Sequence, residues 1–335
     1  MKKTGFISML LVLLLGVCLL AGCGGEGTGN DSAGRTEETE SRTDIEKDET
    51  DGEENSEEGS GQPQPVELEN FTSGTLYEEG EYLFSIDSME MTEDAYVITY
   101  RASTDARNYS GYYDMQLIIN GVAFHYNDFT FTDENRESNS MIGGGPDRAI
   151  RVTLPRTLLA HAGIREVTSV QFDVTLGYSA HSSVYEEVEI RATVYPGAKP
   201  AEVDPFPTPK QDSWVLLDNE EGKVQIVDAN YWVSAADGHI MGVTFHILTQ
   251  GKGNGYIALR NLNVGDWTSG KQMGDVNCLL SPGVRYCRIT LMGGGDPAED
   301  ADYSQSILSY YAYYNEGGTV EELSATLDLS GLANQ

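Results

Sequence analysis

The feature that most constrains this chain begins at Val66. From there, apolar and polar residues alternate in short runs separated by turn residues. A period of two is that of a strand with one face buried and the other in water. Ile150-Arg151-Val152-Thr153-Leu154, Val170 to Leu176 and Glu189 to Val194 show it most plainly. Tyr82 to Ser88, Tyr96 to Ala102, Tyr113 to Ile119 and Val122 to Phe131 follow the same rule. One short helix is expected among them, over Arg156 to Ala162, because Pro155 stands at its start and Gly163 just past its end.

About seven short strands in roughly 120 residues is the count and spacing of an immunoglobulin-like β-sandwich. The alternation stops where Pro196, Pro200, Pro205, Pro207 and Pro209 follow one another. Prolines at that density cannot sit inside a sheet and suit a semi-rigid linker. It then resumes with the same order of segments. Ser85-Ile86-Asp87-Ser88 matches Ile226-Val227-Asp228-Ala229, and Arg151 to Leu154 matches Arg288 to Leu291. Val170 to Leu176 matches Leu308 to Tyr314, and Glu186-Glu187-Val188 matches Glu321-Glu322-Leu323. The fold expectation is therefore all-β: two tandem immunoglobulin-like sandwiches, 66–197 and 212–335, joined by a proline-rich linker at 198–211. The order of matched segments reads as an internal duplication.

The N-terminus has a different texture. Lys2 and Lys3 precede an almost wholly apolar run from Phe6 to Ala21, which closes on Leu20-Ala21-Gly22-Cys23. About 16 apolar residues fall short of the roughly 20 that span a bilayer as a helix, so residues 1–22 read as a signal peptide. Leu20-Ala21-Gly22-Cys23 resembles a bacterial lipobox. That resemblance implies cleavage before Cys23 and diacylglycerol on its thiol, hence a protein anchored by lipid at the extracellular face of the cell membrane. Two acyl chains suffice for stable anchoring. Residues 24–65 hold fourteen Asp/Glu against three basic residues and no aromatic one. Such a segment cannot bury enough apolar surface to order itself, so 23–65 is expected to be a disordered acidic tether.

Charge narrows the partners. A formal net charge of −32 argues against nucleic acid and against anionic lipid surfaces, both of which need basic patches. The chain is expected to be monomeric, to meet the membrane through its N-terminal lipid, and to have a glycan or protein ligand. Of four cysteines, Cys18 leaves with the signal peptide and Cys23 carries lipid. Cys278 and Cys287 remain, in an export compartment that permits disulfides. They lie symmetrically about Pro282-Gly283. With those two residues as a hairpin turn, Cys278 would face Cys287 across the ladder at disulfide range. Pro-Gly favours turns that splay a two-residue hairpin, which works against that register.

The chemistry-bearing residues are sparse. His125, His161, His181, His239 and His246 make no H-E-x-x-H pair, and there is no G-x-S-x-G elbow, P-loop or G-x-G-x-x-G run. His246 lies in a strand-like run and reads as a face residue. Asp296, Glu299, Asp300 and Asp302 form a compact carboxylate cluster that calcium could use, although Pro297 interrupts it and its spacing is not that of an EF-hand. A solvated acidic loop is the plainer reading, and no cofactor is expected. On Leu308 to Tyr314, core-facing Leu308, Tyr310, Ala312 and Tyr314 would leave Tyr311 and Tyr313 outside. With Trp267 in the loop 265–270, these could stack on sugar rings or meet a protein.

In layout the chain resembles uncharacterised lipoproteins of clostridia-like bacteria with tandem immunoglobulin-like domains. The resemblance rests on Ile119-Asn120-Gly121-Val122 and on Leu159 to Ile164, read as a Leu-x-x-x-Gly-Ile element. It implies no particular activity. The expectation is a non-catalytic binding, adhesion or envelope-accessory module; the alternative is a hydrolase of wall or extracellular polymers.

Overall fold

The computed structural model describes residues 65–332, apart from 81, 104–110, 134–135, 139–147, 181–183, 203, 237, 254, 275–276, 294–300 and 315–318. The signal peptide, Cys23, nearly all of the tether, Asp296, Glu299 and Asp300 lie outside the described residues. Among the described residues no helix is long and apolar enough to cross a membrane.

The alternating runs are strands, and the protein is all-β. In chain order they are β1 (Val66–Leu68), β2 (Gly74–Glu79), β3 (Tyr82–Met91), β4 (Ala95–Ser103), β5 (Gly111–Ile119), β6 (Val122–Phe124), β7 (Thr130–Asp133), β8 (Arg136–Ser138), β9 (Arg148–Pro155), β10 (Val170–Ala180) and β11 (Val184–Val194). The second half holds β12 (Val215–Asn219), β13 (Gly222–Val233), β14 (Ile240–Gly251), β15 (Gly255–Val264), β16 (Trp267–Gly274), β17 (Cys278–Leu279), β18 (Val284–Gly293), β19 (Ser306–Tyr314) and β20 (Thr319–Leu327). The helix α1 (Arg156–His161) sits where the Pro155 and Gly163 signals place it.

In the first half, the sheet β2-β3-β4-β9-β7-β8 packs on β1-β11-β10-β5-β6. Phe84 on β3 meets Phe172 on β10 edge-on across the two sheets, at 5.6 Å between ring centroids. In the second half, β12-β13-β14-β18 and β15-β19-β20 enclose a separate core, and β16 pairs with both β18 and β15. The four matched segment pairs lie on equivalent strands. β3, β9, β10 and β11 hold the places in the first half that β13, β18, β19 and β20 hold in the second. Even a register shift recurs: β3 bulges between Ile86 and Ser88, and β13 between Ile226 and Asp228.

The two halves are fused rather than strung. β6 pairs in parallel with the start of β18, Val122 with Val284 and Ala123 with Arg285, so one sheet runs through both. Val227, Leu248, Val284 and Tyr286 of the second half pack in the core of the first. The proline-rich stretch carries no strand among its described residues, and it is docked. Phe206 is buried in the first core, with the Lys223 ammonium 4.4 Å above its ring. The described residues form one compact unit.

The docking gives a structural role to Ile119-Asn120-Gly121-Val122 and to Leu159 to Ile164. Asn120 (φ 50°) and Gly121 (φ 80°) form the two-residue turn between β5 and β6. Both central residues of a type I′ turn need positive φ, which Asn-Gly supplies. The Asn120 carboxamide accepts from the backbone N–H groups of Thr168 and Ser169 and donates to the Glu166 carbonyl. The Leu159 to Ile164 element is the C-terminal cap of α1. The Ile164 N–H bonds the Leu159 carbonyl and the Gly163 N–H bonds the Ala160 carbonyl, a Schellman motif with glycine at its left-handed position. A Cβ on Gly121 would come within 3.2 Å of Pro205, and one on Gly163 within 3.2 Å of Pro207. The two glycines thus form a seat for the linker prolines.

Candidate functional site

Two clusters stand out from the packed interior: an aromatic face on the second half, and a polar joint between the halves.

The aromatic face follows from strand periodicity. On β19, Leu308, Tyr310 and Ala312 are buried, which turns Tyr311 and Tyr313 outward as the alternation requires. Tyr313 lies opposite Tyr256 of β15, and the two rings stack at 5.0 Å. Beyond Tyr256 on the same row lies Leu279 of β17, and beyond Tyr313 lies Val320 of β20. Leu279 is 52% exposed and Val320 56%. The row Leu279–Tyr256–Tyr313–Val320 therefore crosses four strands with apolar groups open to water. Tyr311 is on the neighbouring row, with the Arg260 guanidinium 4.5 Å above its ring and Glu322 opposite. Leu279, Tyr256 and Val320 were missed in the sequence, because strand order across a sheet is not visible in a linear alternation.

Trp267 does not join this face. The Gly265-Asp266 pair makes the turn, so Trp267 begins β16 rather than ending in a loop. It is buried in the second core, where a Cβ on Gly293 would strike its ring. The glycine at 293 exists because the indole lies on it.

The expected cysteine hairpin also gives way. β17 pairs with β15, placing Cys278 opposite Ile257, whereas Cys287 on β18 lies opposite Ile247 of β14. The two sulfurs are not bonded to one another, and both side chains are buried in the second core. The reason lies in residues 251–255. The Gly251 N–H bonds the Ser281 carbonyl, the Gly253 N–H bonds the Leu280 carbonyl, and the Leu280 N–H bonds the Gly255 carbonyl. These bonds draw 278–281 onto the β14–β15 connection and away from β18. Leu280 fits there because Gly251 and Gly255 lack side chains that would meet it. Gly283, at φ 80° after Pro282, makes the turn that a two-residue hairpin cannot use.

Asp302, the one described member of the carboxylate cluster, caps a short helical turn over Tyr303–Gln305. Its Oδ1 accepts from the Ser304 N–H at 3.0 Å and the Ser304 hydroxyl at 2.6 Å. Among the described residues, no group of three or more His, Cys, Asp or Glu is placed to hold a metal.

The polar joint was not legible in the sequence beyond His246 being a strand residue. His246 sits mid-strand on β14, opposite Asp228 of β13 and Arg288 of β18, and is 3% exposed. Its Nε2 lies 2.7 Å from Asn230 Oδ1 and its Nδ1 2.5 Å from the Tyr286 hydroxyl. The Asn230 amide nitrogen donates to the Tyr231 carbonyl, so Oδ1 is an acceptor and Nε2 carries the proton. The Tyr286 hydroxyl then donates to Nδ1, and the ring is neutral. Burial, followed by the proximity of His161, pushes the His246 pKa down to about 3.

The His161 ring, at the end of α1, stacks on His246 with centroids 3.8 Å apart and planes within 6°. His161 Nδ1 bonds Asp228 Oδ2 at 2.7 Å, and the Lys210 ammonium from the linker bonds Asp228 Oδ1 at 2.5 Å. Burial alone would raise the Asp228 pKa. The hydrogen bonds from His161 and Lys210 outweigh it and hold the carboxylate below its usual range. Lys210 also lies 5.5 Å from the Trp214 ring centroid. Helix, linker and both halves therefore meet on one carboxylate.

No protein-family model matches the chain. No curated protein matches it either. Among solved structures, the chain is similar to a crystal structure of the YadV chaperone. That match has 13% identity and a TM-score of 0.19, and it covers 69% of this chain and 92% of that one.

Proposed function

We propose that the chain is a non-catalytic binding module, held at the extracellular face of a bacterial membrane by lipid on Cys23. Its working surface is the outer face of β15, β19 and β20, and its partner is an extracellular saccharide. The observation that carries this reading is the row Leu279–Tyr256–Tyr313–Val320, an apolar ladder open to water on a chain of net charge −32. Tyrosine rings present a flat apolar body with a polar tip, and such groups recur at recognition surfaces. Stability is poorly served by exposed apolar groups, so their alignment across four strands supports a partner. The acidic tether then acts as a spacer between lipid and binding face.

Glycan-array screening of the chain with Cys23→Ser, repeated with Tyr313→Ala, tests the binding reading. Binding is expected for the parent and at least a tenfold loss for Tyr313→Ala. A silent array, or equal binding by the two, refutes it. The anchor is tested separately: radiolabelled palmitate should enter the parent, and Cys23→Ser should abolish the label.

A further inference from the structure

We propose that the joint between the two halves is an acid-operated latch, closed at neutral pH and opened by a second proton on His246, while each core stays folded. Burial and the stacked His161 ring disfavour that proton in the closed state. Nε2 already donates to Asn230, and Nδ1 is filled by the Tyr286 hydroxyl. A proton on Nδ1 would oblige the Tyr286 hydroxyl to turn from donor to acceptor. It would also place a cation against the His161 ring at 3.8 Å, within a site 3% exposed to water.

The groups that face His246 come from every element around it. His161 comes from α1, Asp228 and Asn230 from β13, Lys210 from the linker, and Tyr286 and Arg288 from β18. Asp228 is the sole anion among them. Its oxygens already accept from His161, Lys210 and the Ala229 N–H, and its pull on a charged His246 is outweighed by burial.

The joint is also the place where the molecule can part. The β6–β18 ladder is two residue pairs long, and beside it the joint consists of Val227, Leu248, Val284, Tyr286 and the linker's Phe206 packed on the first core. Opening would expose Phe124, Phe206, Val227, Leu248, Val284 and Tyr286, and would return His246 to water. There it takes a proton at an ordinary histidine pKa. The sign follows. A histidine whose pKa is depressed in the closed state favours closure fully above about 6.5 and loses that preference progressively toward about 3. Asp228, also depressed, adds to the loss only below the ordinary carboxylate range.

Hydrogen exchange on the full chain, corrected for intrinsic rates, tests this between pH 7 and pH 4.5. Protection of β6 and of Val284 to Tyr286 should fall about tenfold per pH unit below about pH 6, as one proton requires. β4 and β15 should keep theirs. His246→Gln should flatten the slope. Protection of β6 that is independent of pH, loss of all strands together, or an unchanged slope in His246→Gln would overturn the latch.

Discussion

The two halves share a plan and differ in what they do with it. Val152 and Leu154 of β9 correspond to Ile289 and Leu291 of β18, and all four are fully buried. Arg151 and Arg288, one place before each of those pairs, are both exposed. Along β10 the outward residues are Asp173 and Thr175; along β19 the matched places hold Tyr311 and Tyr313. Asp173 accepts from Gln171 within its own strand, whereas Tyr313 extends a row across four strands. Beside the recurring bulge, Asp87 bonds Arg101 at the surface of the first half. Asp228 bonds His161 and Lys210 at the joint. Inward positions keep their chemistry because the core requires it; outward positions are where the halves have acquired separate tasks.

The largest effect that would sharpen this contrast is in the core. Phe172→Ala removes a fully buried ring that meets Phe84, and should cost about 3–5 kcal/mol in urea unfolding. Because β6 and β18 join the halves, the loss should also appear in probes of the second half, such as Trp214 fluorescence. Two well-separated transitions would instead mean that the halves unfold independently.

The aspartates come next. Asp228→Asn weakens two charged hydrogen bonds at a site where the side chain is 24% exposed, and should cost about 1–3 kcal/mol at pH 7. Asp87→Asn breaks a pair whose partners are 39% and 36% exposed, and should cost under about 1 kcal/mol. The Asp228 contribution is present above the unfolded carboxylate pKa and fades as pH falls below it, since the folded pKa is lowered. Equal costs for the two, measured by chemical denaturation at pH 7, would break the comparison.

A smaller effect isolates the linker seat. Gly163 and Gly80 both have positive φ, at 80° and 60°, but a Cβ at Gly80 meets nothing within 4 Å. Gly80→Ala therefore carries backbone strain alone, about 1–2 kcal/mol. Gly163→Ala carries that strain plus contact with Pro207, so it should cost more and should raise proteolytic nicking near 205–210. Identical losses with no added nicking would mean that the linker is not seated there.

These contrasts also mark how far a linear reading reaches. Strand identity was legible because alternation is local: each residue's neighbours two places away settle its face. The helix was legible from Pro155 and Gly163 for the same reason. What failed was pairing. Cys278 and Cys287 are symmetric about Pro282-Gly283 in sequence, but the glycines at 251, 253 and 255 compete for the backbone of 278–281 and win. Trp267 looked exposed because it follows a turn, yet its fate is set by Gly293, 26 positions away. Asp228 and His246 are cross-strand neighbours on β13 and β14, but His161 reaches them only because the two halves pack together, and no periodicity encodes that contact. Tyr311 and Tyr313 were found because outwardness is a local property. Tyr256, Leu279 and Val320 were not found because their adjacency is a property of sheet order.

The smallest expected change in stability belongs to the residue on which the functional reading depends most. Tyr313→Ala removes a partly exposed ring that stacks on Tyr256 without entering the core. Cross-strand aromatic pairs contribute roughly 0.2–1 kcal/mol, so the unfolding midpoint should move little. Binding to a saccharide should nevertheless fall at least tenfold, since the ring occupies the middle of the exposed row. Thr175→Ala, at the matched place on β10, should change neither quantity. If Tyr313→Ala unfolds the protein, the row is a packing element and the outward contrast between the halves loses its functional meaning. If it leaves both stability and binding intact, the partner sits elsewhere. A loss of binding at constant stability is the outcome that separates a working face from a structural one, and the comparison with Thr175 assigns that face to the second half alone.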